Sequence, residues 1–225
     1  MVPSAWLVKV GSVIAEKYVV ERVLGAGGAG IVLSCRHRAT GGLFALKILK
    51  TPTEEQAERL MREARLITKL KNEHVCRVFD IDRLPGGGAP FVVMEHLEGE
   101  SLDSALRRAG SLPVPEAATV VLHACIALAE AHSHGIVHRD IKPANLFRTT
   151  AADGSVRIKV LDFGISKDRQ NSDRLTAASA VFGSPPYMSP EQFEATGDVD
   201  GRTDVWSLGV TLYELVTGTR PFVGA

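Results

Sequence analysis

The chain has 225 residues, 45% of them apolar and 23% charged, enough to bury one or two globular cores and unlike a disordered sequence. Lysine plus arginine equals aspartate plus glutamate at 26 each, which argues against a nucleic-acid binder that relies on bulk positive charge. Cys35, Cys76 and Cys125 are dispersed and odd in number, so neither a disulfide framework nor a zinc site is expected and a reducing cytoplasm fits.

The first ten residues, MVPSAWLVKV, lack a basic segment followed by a long apolar core, so no signal peptide is expected. Tyr18–Leu24 and Ile31–His37 read as strands. Between them Gly25, Gly27 and Gly30 have G-x-G-x-x-G spacing, which lets backbone N–H groups approach phosphates, or simply turns a hairpin. A dinucleotide-binding turn needs a helix after its glycines, and IVLSCRH is β-rich instead. Gly41-Gly42 leads into a third strand, Leu43–Leu49, where apolar neighbours flank Lys47. Unless it is merely exposed, that lysine needs an anionic partner. Thr53 and Gln56 have capping-box spacing. Ala57, Leu60, Met61, Ala64 and Ile67 then mark an amphipathic helix expected to end at Asn72 and Glu73. Glu63 lies at the edge of its apolar stripe, where it can face a neighbouring strand.

Arg77–Asp82 and Phe91–His96 read as two more strands, and LEGESL after them as a boundary. Ser101–Arg108 begins a short helix. Pro115–His134 forms a long one with the face Ala117, Val120, Val121, Ala124, Leu128, Ala131, stopped by Gly135. Its apolar run, Ala117–Ala131, is short for a membrane span and carries His123 and Glu130. His123, His132 and His134 lack a carboxylate or cysteine at metal-ligand spacing and read as solvated or capping. Asn145–Arg148 and Val156–Leu161 make a hairpin about Asp153-Gly154. Ile165–Val181 reads as a polar loop bearing Ser172, Thr176 and Ser179. Thr203–Thr217 is apolar on nearly every face and belongs in a core.

The chemistry concentrates in HRDIKPAN, His138 to Asn145, and in DFG at Asp162–Gly164. Asp140 offers a carboxylate able to accept a hydroxyl proton, and Lys142 a cation for a phosphate. Asn145 and Asp162 offer oxygen ligands for a hard cation such as Mg2+. Each motif alone is a weak signal. Together, in this order, they make a phosphoryl-transfer set.

HRDIKPAN, then DFG, then SPE at Ser189–Glu191 resemble the protein kinase family. The wording HRDIKPANLF, LDFGISK and YMSPEQF is similar to the eukaryotic-like (Hanks-type) serine/threonine kinases of bacteria. The resemblance implies an α+β, two-lobed fold. The small lobe, residues 1–97 with 1–17 as an extension, would hold five antiparallel strands and one helix. The large lobe, 98–225, would be mainly helical and incomplete at its C-terminus. The implied cofactors are ATP and Mg2+. Lys47 and Glu63 would pair to position the nucleotide, and Gly25, Gly27 and Gly30 would cover its phosphates. Val32, Ala45, Met94 and Leu146, with the backbone of Glu95 and Leu97, would hold adenine. Asp140 would be the base and Lys142 the γ-phosphate cation, while Asn145 and Asp162 hold metal. Asp204 would anchor the catalytic-loop backbone. The implied partners are proteins with Ser or Thr, including the chain itself at Thr176 or Ser179, where Arg139, Lys167 and Arg59 would gather round a loop phosphate. Ser184 stands where relatives usually carry Thr. Kinases normally continue through three more helices and an arginine that pairs with the glutamate here numbered Glu191. This chain alone is therefore expected to be less stable or less active than a longer one, and an impaired ATP-binding module is the alternative. No nucleic-acid partner or membrane segment is expected, and a cytoplasmic location is.

Overall fold

The computed structural model describes residues 9–27, 30–50, 53–151, 153–163, 185–194 and 199–222, apart from the Arg59 side chain. The chain divides into two compact units, Met1–Lys69 with Arg77–Leu97, and Leu70–Cys76 with Glu98–Ala225.

The first unit is an antiparallel sheet with the order β1-β2-β3-β4-β6-β5. Its strands are β1 Val13–Ile14, β2 Tyr18–Gly27, β3 Gly30–His37, β4 Leu43–Leu49, β5 Val78–Arg83 and β6 Pro90–Glu95. Five are those expected. The two-residue β1 lies inside the stretch read as an extension and pairs Val13 with Val19 and Ile14 with Tyr18. Strand alternation explains the core. Ile31, Leu33 and Cys35 of β3, Leu46 and Ile48 of β4, and Phe91 and Val93 of β6 share one face and form a single buried cluster with Tyr18 and Val20.

Helix α1, Glu54–Ile67, starts at Thr53, whose hydroxyl accepts the Gln56 N–H at 3.3 Å, as the capping spacing implied. It ends five residues before the expected Asn72. The Thr68 hydroxyl donates to the Arg65 carbonyl at 2.8 Å and the Lys69 N–H to the Leu66 carbonyl at 3.2 Å, which closes the last turn. Residues 70–76 then group with the second unit rather than the first. The Glu130 carboxylate accepts the Lys71 and Asn72 N–H groups at 3.0 and 2.9 Å, and the Val160 N–H donates to the His74 carbonyl at 2.7 Å.

The glycine stretch continues both strands, closing the hairpin with Gly27 opposite Gly30. Gly30 is demanded by the fold itself. Its φ is +149°, and a Cβ there would lie 2.1 Å from the Ile48 carbonyl oxygen. Gly25 and Gly27 have open space where a Cβ would go. Gly30→Ala should therefore cost roughly 1–3 kcal/mol through backbone strain and a forced shift of β3 against β4. Gly25→Ala and Gly27→Ala should barely move the melting temperature. Thermal unfolding of the three variants checks this, and equal melting points would refute the distinction.

The second unit contains a three-stranded sheet of β7 Gly99–Ser101, β8 Leu146–Thr150 and β9 Val156–Val160, with the order β7-β8-β9. Its helices are α2 Leu102–Ala109, α3 Val114–Ser133, the single turn α4 Pro190–Phe193, and α5 Arg202–Thr217. By length and composition, α3 could cross a membrane. Within the unit, however, Ala117, Val120, Ala124, Ala127, Leu128 and Ala131 are buried, and α3 packs on α5 and β9. Glu116 pairs with Arg148, so the helix is tied into the globular unit at both ends by its carboxylates.

Helix α5 departs from the expectation of an all-round apolar helix. Leu208, Val210 and Leu215 are buried, but so are Thr203, Asp204, Ser207 and Thr211, while Val205 is 66% exposed. The buried side of this helix is half polar, and that polarity builds the site described next.

Candidate active site

In the first unit, the sheet face opposite the core carries the residues expected to meet a nucleotide. Val32, Lys47 and Val92 are cross-strand neighbours, as are Ser34, Ala45 and Met94 two positions on. Pairing also sets Gly25 beside Val32. Strand pairing thus places Gly25, Val32, Ala45, Lys47 and Met94 on one surface. Lys47 is only 5% exposed there, an ammonium among apolar neighbours, and it is not without a partner. Glu63 lies half-buried on α1, which packs on β5 and β6, and is also engaged. The Glu95 N–H donates to the Arg77 carbonyl at 2.9 Å, and Glu95 pairs with Phe44 across β4 and β6.

In the second unit, HRDIKPAN folds around one carboxylate. Asn145 is set by a 3-10 turn, Pro143–Asn145, and its Nδ2 donates to both the Asp140 carbonyl (2.7 Å) and Asp140 Oδ2 (3.1 Å). Lys142 Nζ lies 2.9 Å from the same Oδ2. The base, the cation and the amide expected from sequence are therefore one hydrogen-bonded group. With Nδ2 engaged, Asn145 Oδ1 is its oxygen suited to a cation. Leu161, the residue before Asp162, is held at both ends. Its N–H donates to the Asn145 carbonyl at 2.9 Å, and its carbonyl accepts from His138 Nε2 at 2.7 Å. Asp162 follows with φ +57°, a left-handed conformation that a non-glycine residue holds only when its surroundings fix it.

His138 is the hidden link. It is fully buried, and its ring lies 4.8 Å from that of Phe163. Nδ1 accepts the Asp140 N–H at 3.2 Å, so Nε2 carries the proton given to Leu161. Burial pushes its pKa below the usual histidine range and outweighs the nearby carboxylates. His123, stacked on His74 at 4.0 Å, is pushed down by burial and then by His74. Each therefore binds its proton less readily in the folded chain than in the unfolded one. Their contribution is complete above the unfolded value of about 6.5 and is lost as pH falls from there toward the depressed folded values. Urea midpoints should therefore decline between pH 7 and pH 5. That window lies above the range where carboxylates titrate, and a flat profile across it would contradict the assignment.

Beneath the loop, Asp204 of α5 is wholly buried and accepts three hydrogen bonds. They come from the His138 N–H (2.8 Å), the Arg139 N–H (2.7 Å) and His132 Nε2 (2.8 Å). The anchoring implied for Asp204 is thus present in the geometry. His132, read as solvated or capping, is instead a half-buried partner of that carboxylate, and His123 a stacking partner of His74. A Cβ on Gly201 would strike the His132 ring at 2.7 Å, so the ring sits directly over that glycine. Leu146 is fully buried in the second unit. Gly164, Lys167, Ser172, Thr176, Ser179, Ser184 and the Arg59 side chain lie outside the described residues, and so does the expectation of a phosphate on Thr176 or Ser179.

Residues 18–225 match the family model described as "protein kinase domain". The chain is 36% identical over 219 residues to the serine/threonine-protein kinase pkn3 of Myxococcus xanthus, covering 95% of this chain and 40% of that protein. It is 36% identical over 217 residues to the serine/threonine-protein kinase PknB of Mycobacterium leprae, covering 94% and 34%. The chain spans about a third of the length of the first curated relatives it matches. Among solved structures, the PknI kinase domain of Mycobacterium tuberculosis is similar with a TM-score of 0.76 and 31% identity, over 96% of this chain and 79% of that one.

Proposed function

The chain belongs to the protein kinase domain family, and on that premise we propose that it is a catalytic domain transferring the γ-phosphate of ATP to serine or threonine hydroxyls of proteins, itself among them. The observation that carries this reading is the joining of Asp140, Lys142 and Asn145 through one carboxylate, with the residue before Asp162 clamped to the same loop. Asp140 orients the acceptor hydroxyl and takes its proton. Lys142, 2.9 Å from that carboxylate, lies beside the proton acceptor and steadies the transferring phosphate. Asn145 Oδ1 and the Asp162 carboxylate are hard oxygen donors that suit Mg2+, which when bound supplies positive charge against the phosphates.

The first unit's face suits the nucleotide. Val32, Ala45 and Met94 offer an apolar surface to adenine, to which the family resemblance adds Leu146. The Glu95 carbonyl and the Leu97 backbone offer hydrogen bonds, and Lys47 positioned by Glu63 holds the phosphates. Gly25 and Gly27, which the fold itself does not require to be glycine, let the backbone approach those phosphates closely. The three free thiols are consistent with a reducing location, the cytoplasm.

The test is transfer from γ-labelled ATP to the chain and to a serine/threonine peptide library, beside Lys47→Ala and a C-terminally longer version. Labelled phosphoserine or phosphothreonine that depends on Lys47 supports the reading. Its absence from both lengths rejects it.

A further inference from the structure

The segment that follows the family's SPE element touches the catalytic loop through a side chain with no assigned role. Gln192 lies in α4. Its Oε1 accepts the Ser189 N–H at 3.1 Å, capping its own helix, and its Nε2 donates to the Arg139 carbonyl at 3.2 Å. Arg139 has φ +64°, a left-handed backbone that is costly for a residue with a Cβ and must be held from outside. The peptide unit between Arg139 and Asp140 is gripped on both sides. Gln192 takes its carbonyl, and His138 Nδ1 takes its N–H at 3.2 Å. That peptide unit fixes where the Asp140 carboxylate points.

Gln192 itself stands on a firm base. The Ser189 and Thr203 hydroxyls bond at 2.6 Å, the Ser207 hydroxyl donates to the Tyr187 carbonyl at 2.7 Å, and the Tyr187 hydroxyl donates to Glu214 at 2.5 Å. Thr203, Ser207 and Glu214 all belong to α5, which also supplies Asp204 to the catalytic loop. One helix thus holds the loop and the segment in a common frame, and Gln192 joins them.

Resting on the kinase reading, we propose that Gln192 is a positioning residue for Asp140, its amide N–H fixing the Arg139–Asp140 peptide. The competing explanation is that Gln192 only caps α4. The substitution Gln192→Glu separates the two. The introduced carboxylate would keep the acceptor that caps the Ser189 N–H, as glutamate commonly does at this helix position, but it would lose the donor and oppose the Arg139 carbonyl. Gln192→Met loses both bonds at similar volume.

Steady-state kinetics, thermal unfolding and hydrogen exchange across residues 138–142 decide. Gln192→Glu should lower kcat about 10- to 100-fold, the scale of a small misplacement of a reacting group. KM for ATP should stay within about twofold and the melting point should not move, while exchange at 138–142 quickens. If kcat stays within about twofold of wild type, or falls only as the melting point falls, Gln192 is a cap and the proposal is wrong. Should the unaltered chain transfer no phosphate, the kinase reading fails separately. Exchange then still decides: unchanged protection at 138–142 in Gln192→Glu overturns the contact's role.

Discussion

Asp140→Asn is expected to lower turnover by about 10²–10⁴ while leaving ATP affinity within a few-fold of wild type. Asparagine matches aspartate in size, and its Oδ1 can take the Oδ2 position, still accepting from Asn145 Nδ2, now bonded at 3.1 Å. The loop should therefore keep its shape. What disappears is the negative charge, and with it the ability to take a proton and the ion pair to Lys142. The residues proposed to hold adenine and the phosphates lie mostly on the β2–β3–β4–β6 surface, apart from this carboxylate in sequence, so binding should be largely spared. Nucleotide affinity and phosphotransfer must be measured on the same preparation. Near-normal turnover would remove Asp140 from the role of base. Loss of ATP binding in parallel with turnover would mean that the substitution had collapsed the loop.

What the sequence disclosed and what it hid follow from the range of the interactions. The strands were legible because alternation is a local property: Ile31, Leu33 and Cys35 against Val32 and Ser34 read directly as two faces. The grouping of the candidate base, cation and amide was legible because they lie within six residues of one another, Asp140 to Asn145. The buried polar stripe of α5 was not. Threonine and serine count as neutral in a hydropathy pattern, and their partners are distant in sequence: Ser189 for Thr203, Tyr187 for Ser207. Thr203, Asp204, Ser207 and Thr211 do recur at one, three and four residues, a helical spacing of hydroxyls and carboxylate that could have flagged the face. His132 gave no local sign of its bond to a residue 72 positions away. Gln192 sat inside a recognised word, SPEQF, and the motif drew attention from the one amide in it that reaches the loop. The early end of α1 turned on a threonine hydroxyl bonding back to Arg65, which competes with the helix and does not alter its hydrophobic period.

The second large effect is on stability, at Asp204. Its carboxylate is fully buried, and its two oxygens accept the backbone N–H groups of His138 and Arg139 as well as His132 Nε2. Asp204→Ala leaves two interior amide donors without their acceptor, each costing about 1–3 kcal/mol, so the loss should be roughly 2–6 kcal/mol. Against a typical net stability of about 5–15 kcal/mol, that is a large fraction of what holds the domain folded. The hold on the left-handed Arg139 goes with it, so whatever remains folded should turn over slowly. Asp204→Asn is the milder probe. Its carbonyl oxygen can serve one of the two amides while its NH2 opposes the other, so it should lose about half as much. Urea midpoints for the two variants should fall in that order, alanine lowest. An alanine variant as stable as wild type would mean that the loop amides find other acceptors, and the view of α5 as the loop's anchor would have to be given up.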